Sequence, residues 1–258
     1  MMKSYIWRIT HDKIKLFFVL FLIVVPAFQI LQTWKACHDL GLGMYAPLYG
    51  TFQSLPGMAF HIIHRVYMFF MPLYMLIIFA ELDIENDDKC LGNALVCRMG
   101  RKSYILGELG RSFISSFTLI LSAMMINLLL ALIVFRGGTH MDMEPGDSPE
   151  NFLYNLSMQH PLMANLIFNL VTSFVCALIC TVGVALSLAL RNRKIVYSMS
   201  LLLWMLPVAL TKKSLLLSFQ PFSEYDFGDL IPTLVVVVAI YLLVIFISML
   251  WRIKNEEV

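Results

Sequence analysis

FISSFTLILSAMMINLLLALIVF, residues 113–135, is the stretch that decides the fold. It holds no formal charge. A helix needs roughly 20 apolar residues to cross the hydrocarbon of a bilayer, and this run has that length without a break. Its apolar residues are continuous rather than alternating, which argues against the strand of a membrane barrel. Two similar runs precede it, at residues 14–34 and 61–80. Three follow, at 162–190, 195–210 and 233–251. The run at 162–190 is long enough to tilt or to project from the bilayer, and 195–210 is short. The fold predicted is an all-α integral membrane protein with six transmembrane helices, built as one domain over residues 1–258.

Composition agrees with that reading. Of 258 residues, 59% are hydrophobic and 14% charged, with a mean hydropathy of +0.78. Ordinary soluble domains are about 45–50% apolar and about 25% charged. A soluble core of this size cannot hide so much apolar surface. Disorder and a disulfide scaffold are excluded by the same figures. The formal charge of +2 is too small to suggest nucleic acid.

The positions of Lys and Arg set the orientation. Lys3, Arg8 and Lys13 precede the first run, and Lys15 is its second residue. Lys89, Arg98, Arg101, Lys102 and Arg111 lie between the second and third. Arg191, Arg193 and Lys194 lie between the fourth and fifth, and Arg252 and Lys254 follow the sixth. Six spans put all of these on one side, which is then the cytoplasm and holds both termini. The expected location is the plasma membrane. The first run is too long for the apolar core of a signal peptide and has no small-residue cleavage site, so it reads as an uncleaved anchor. Cys37 is the only one of five cysteines expected outside, which leaves it no intramolecular disulfide partner there. Cys176 and Cys180, one turn apart, read as small packing residues.

Three segments outside the spans carry a pattern. SYIWRITHDKIK mixes apolar and basic residues as an interfacial helix on the inner leaflet does. Segments near 35–60, 136–161 and 211–232 are too short for a receptor domain, and the last suggests short re-entrant helices on the outer side. Residues 81–112 form a cytoplasmic loop that opens acidic and continues into a short mixed run closed by Gly100. There Leu95, Val96 and Met99 can share one apolar patch, flanked by Cys97 and Arg98. Such an element suits docking of a helix into a partner's groove.

The sequence holds little chemistry. It has no phosphate-binding G-x-x-x-x-G-K-[ST], no H-E-x-x-H and no G-x-S-x-G. His61, His64 and Arg65 are the strongest polar group within a span, at spacings that share a helix face. They are candidates for substrate binding or gating, or alternatively interfacial residues at the outer quarter of the helix. The apolar runs hold no carboxylate to relay protons or sodium, which argues against a secondary transporter. No metal site is expected.

The sequence ELDIENDDKCLGNALVCRMGRKSYILGELGRSF, residues 81–113, resembles the membrane-spanning permease subunit of type-2 ABC exporters, the class of lantibiotic-immunity and drug-export permeases. Glu85, Leu95, Val96, Arg98, Arg101, Tyr104, Ile105, Leu106 and Leu109 fit that pattern, and Glu108 stands where the class usually has Lys. The resemblance implies two permease subunits, identical or related, seated on two ATP-binding cassette subunits. Leu95, Val96, Cys97, Arg98, Met99 and Gly100 would dock on the ATPase. This chain would carry no cofactor and no catalytic residue, with ATP and Mg held by the partner. The implied cargo is amphipathic or hydrophobic: an antimicrobial peptide, a drug or a lipid. Two alternatives stay open at this point. One is a non-transporting membrane scaffold or immunity protein that acts by binding. The other is an intramembrane enzyme using His61 and His64.

Overall fold

Helix α1, Met2–His11, and helix α2, Lys13–Asp39, open the chain. Then come α3 (Ile62–Phe69), α4 (Met71–Met75), a π-helical turn (Leu76–Ala80), α5 (Glu81–Asp88) and α6 (Leu91–Met99). Long α7 covers Arg101–Val134, followed by α8 (Phe152–Gln159), α9 (Pro161–Leu190) and α10 (Arg193–Ala209). A 3₁₀ turn, Leu215–Phe219, leads to the last helix, α11, Phe227–Asn255. These elements come from a computed structural model that describes residues 2–39, 41, 43–54, 62–88, 91–140, 151–190, 192–210, 214–222 and 225–255. Among them there is no strand beyond one isolated bridge, Tyr45 with His140.

Among the described residues, four helices are long and apolar enough to cross a membrane: α2, α7, α9 and α11. The second expected span, 61–80, is not one straight helix. It breaks at Phe70, and its two halves are bent by 55°. The cause is Pro72 in the first turn of α4. Proline disfavours helical geometry in the residue before it and suits a helix start. The fifth expected span is α10, whose 17 residues lie at the short end of the spanning range.

Helix α9 is the hub. Of its most apolar stretch, 89% is buried, against 17% for α11. It packs on α7, α11, α10 and the π-helical turn, while α2 packs on α7. The sequence of α9 explains this. Ala164, Ala177, Gly183, Ala185, Ser187 and Ala189 are small and let neighbouring helices approach closely. A Cβ on Gly183 would collide with Leu76 Cδ2.

Polar side chains inside the apolar bundle repair the backbone. Pro26 has no N–H, so the Leu22 carbonyl has no donor within α2. The Tyr67 hydroxyl donates to it at 3.0 Å. One turn on, Asn127 Nδ2 of α7 donates to the Pro26 carbonyl at 2.6 Å, while Asn127 Oδ1 accepts from Phe52 N at 2.9 Å. Residues 51–53 thus enter the bundle. Thr51 donates to Asn165 Oδ1 at 2.7 Å, and Gln53 Nε2 to Thr172 Oγ1 at 3.4 Å. With no water in a bilayer core, these groups must be satisfied by the protein itself. Asn127→Leu strands the Phe52 amide and removes the side-chain donor to the Pro26 carbonyl. It should lower stability by about 1–3 kcal/mol, read as a drop in thermal midpoint in detergent.

Candidate functional site

The helix termini rich in Arg and Lys gather at one end of the bundle. Arg101, at the start of α7, donates to the Ile253 carbonyl near the end of α11 at 3.3 Å. Arg193, at the start of α10, pairs with Glu81 at 3.2 Å, and Tyr197 donates to the same carboxylate at 3.4 Å. Helix α1 lies across this end. Tyr5 and Ile9 are buried, whereas Ile6 and Trp7 are exposed. The Tyr5 ring stacks on Phe79, with centroids 6.3 Å apart, and takes the Arg111 guanidinium at 6.0 Å.

Glu85 ties the N-terminal helices to α5. It accepts from Lys15 Nζ at 2.5 Å and from Arg8 at 3.4 Å. Lys15 is buried, and it also meets Asp12 at 3.0 Å. Asp12 caps α2, accepting from Ile14 N at 3.0 Å and Lys15 N at 3.4 Å. Hydrogen bonding from the Lys15 ammonium, opposed by slight burial, holds the Asp12 carboxyl below its ordinary range.

The elbow between α6 and α7 is at Gly100. Gly100 has φ 80° and ψ 148°, a region that side-chain-bearing residues rarely enter. Its N–H bonds the Val96 carbonyl at 2.9 Å, and its own carbonyl accepts from Tyr104 N at 3.0 Å. Gly100 thus ends one helix and starts the next. With 34 residues, α7 is about 51 Å long at 1.5 Å per residue. That exceeds the about 30 Å of a hydrocarbon core, so α7 is longer than a span needs. Gly100→Val forces strain of about 1–3 kcal/mol. The elbow should re-aim, read as a changed labelling rate of exposed Cys97 by a maleimide, with the long helices retained by circular dichroism.

The residues singled out at 95–100 divide into two faces. Leu95 and Val96 are half-buried and pack on the chain's own core, and Met99 is also half-buried. Cys97, Arg98 and Gly100 are exposed. The outward face is therefore Ala94, Cys97 and Arg98, with the apolar residues forming the root of the helix. Glu108, standing where the exporter class has Lys, is buried and paired with Arg111 one turn along, so its charge is answered within α7.

The intramembrane cluster is not drawn together in the same way. His61 lies outside the described residues. His64 is buried, with its ring 4.6 Å from that of Phe52. Arg65, its neighbour, is exposed. His64 and Arg65 do line a common cavity of about 340 Å³, together with Phe70, Val208 and Gln220. Among the described residues, no group of three or more His, Cys, Asp or Glu side chains is placed to hold a metal ion. Sequence reading missed the Glu85 lock and the inserted residues 51–53. The available signals were Asn127 and Asn165, polar residues in apolar runs that needed partners.

No family model matches the chain, and no solved structure matches it. It is 30% identical over 262 residues to Uncharacterized protein YybM of Bacillus subtilis (strain 168), an alignment covering 99% of this chain and 100% of that protein. Identity at that level along nearly the full length of both chains shows kinship, and the chain belongs to the family of YybM.

Proposed function

We propose that this chain is the membrane-spanning permease subunit of an ATP-driven exporter. It crosses the plasma membrane six times with both termini in the cytoplasm, and its cargo is amphipathic or hydrophobic. The observation that carries this reading is the α6–Gly100–α7 elbow. A short helix presents Cys97 and Arg98 outward while its root contacts the bundle core. A push on such a helix is passed directly to α7 and, through it, to the buried hub α9. The collection of Arg and Lys at the same end supports the cytoplasmic assignment by the positive-inside rule. The absence of any phosphate-binding sequence fits an ATPase on separate subunits. Two ATP-binding cassette subunits and a second permease complete the proposed assembly.

The test is purification of the intact chain from its host membranes in mild detergent. An ATP-hydrolysing polypeptide of cassette type should accompany it, with vanadate-sensitive turnover in the complex. A chain that comes through alone, and that protects cells when every such ATPase is deleted, would overturn the reading in favour of a scaffold acting by binding.

A further inference from the structure

At the end opposite the basic residues, α8, α9, the 3₁₀ turn and the start of α11 enclose a cleft of about 600 Å³. This is within the usual range for ligand cavities, about 300–1,000 Å³. Its shape and chemistry are both specific. Along α9 it runs from His160, just before the helix, to Val171. Eleven residues at 1.5 Å each make about 16 Å, which is close to half of the about 30 Å hydrocarbon. The cleft therefore has the depth of one leaflet. Its walls are apolar, and Met163, Ile167 and Ile231 at its mouth are 59%, 54% and 48% exposed. Polar groups are few: Ser157 and His160 at the shallow end, and Ser218 on the 3₁₀ turn. Ser218 is only 4% exposed, and its hydroxyl has no hydrogen-bond partner among the described residues. A buried hydroxyl left this way costs free energy unless something accepts its proton. Nearby apolar packing does not supply an acceptor.

We propose that this cleft is a binding site for one acyl chain of a membrane phospholipid, from the leaflet away from the basic end. The chain lies along α9 down to Val171, and the glycerol ester carbonyl accepts from the Ser218 hydroxyl. His160 stands at headgroup depth. An acyl chain satisfies the length, the apolar walls and the sideways mouth together, and its ester supplies the acceptor that Ser218 lacks. A soluble metabolite would gain nothing from a mouth that opens between apolar side chains. This site does not depend on the exporter reading.

The experiment uses the full chain in liposomes of phosphatidylethanolamine and phosphatidylglycerol containing a phosphatidylglycerol with a mid-chain diazirine. After illumination, labelled peptides are quantified by mass spectrometry. Labelling at Ile167, Val171 and Leu234 should exceed that at Leu129 and Ile133, which are 60% and 70% exposed on α7. It should also saturate with unlabelled lipid, whereas the α7 background should not. Ala164→Phe fills the cleft and should remove the excess while leaving the α7 labelling intact, which also reports that the bundle is folded. Ser218→Ala should weaken retention of the ester lipid about fivefold, the scale of one hydrogen bond. It should leave an ether-linked analogue unaffected, and Ser218→Thr should restore the difference. Equal labelling of cleft and α7, or an excess that survives Ala164→Phe, would overturn the proposal. Equal retention of ester and ether lipids by the native chain would overturn the role of Ser218.

Discussion

Arg98→Glu is expected to reduce ATP-driven export more than tenfold while leaving the amount of inserted, folded chain unchanged. Arg98 is exposed on the outward face of α6, beside exposed Ala94 and Cys97. Its replacement therefore has little to disturb within the chain. In the proposed interface with the ATPase, however, a reversed charge would meet the acid that pairs with Arg98 on docking. Truncating one partner of a desolvated charge pair costs about 2–5 kcal/mol, and each 1.4 kcal/mol is about a factor of ten. Met99→Asp should act similarly by another route, since Met99 is half-buried between the outward face and the root of α6. The distinguishing readout is the ATPase rate of the assembled complex with and without cargo. Both variants should lose cargo stimulation before they lose basal hydrolysis. Normal export by both would detach α6 from any coupling role.

The second large effect concerns the lock beneath α1. Glu85→Gln should lower the thermal midpoint by roughly 4–8 °C and expose α1 to protease, whereas Lys15→Met should cost less. The asymmetry is the point. Lys15 is 3% exposed, so removing Glu85 leaves a buried ammonium with Asp12 as its remaining acid. Breaking a buried pair from one side costs about 3–5 kcal/mol. The partial exposure of Glu85 and the presence of Asp12 reduce this to about 2 kcal/mol, and each kcal/mol shifts the midpoint of a chain this size by about 2–4 °C. Lys15→Met instead removes the buried charge and keeps an apolar stem of similar length, leaving Glu85 with Arg8 at 3.4 Å. The pH dependence has a definite sign. Asp12 has a folded-state pKa below its unfolded value. Its contribution is therefore complete above the ordinary carboxylate range and is lost as the pH falls through the depressed value. Release of α1 on acidification, followed by protease access, should be blunted in Asp12→Asn. If Lys15→Met proved the more damaging of the two substitutions, the buried-charge account of the lock would be wrong.

The apolar runs told most of the architecture in advance, because long hydrophobic segments are the strongest signal a sequence carries. Runs 14–34, 113–135, 162–190 and 233–251 lie within α2, α7, α9 and α11, apart from a residue at the end of α7. The helices extend past the runs because lipid sets the apolar length and helix propensity sets the helical length. Residues 101–112 mix charged and polar residues with Tyr104, Ile105, Leu106 and Leu109, and they continue α7. The break at Phe70 follows from Pro72, which sits in the first turn of a new helix. Residues 51–53 were illegible for a different reason. Nothing in Thr51, Phe52 and Gln53 taken alone marks a buried segment. Only their partners do, and Asn127, Asn165 and Thr172 are distant in sequence. At the site, the short helix and its glycine were legible from pattern. Which side of that helix faces outward was not, because Leu95 and Val96 look like a docking patch until the core they pack on is known.

The central claim is that mechanical work enters this chain through α6. Cys97 allows a direct measurement, because it is exposed whereas Cys37, Cys176 and Cys180 are buried. Cys90 is outside the described residues and is replaced by Ser, leaving Cys97 as the one accessible thiol among those described. A short thiol-to-amine crosslinker is then applied to inside-out membrane vesicles and, separately, to intact cells. In vesicles Cys97 should be trapped with a nucleotide-hydrolysing polypeptide, at a yield that changes between ATP with vanadate and no nucleotide, and it should be silent in intact cells. Labelling of Cys97 from outside intact cells, or a vesicle adduct that contains no ATPase under either condition, would contradict it.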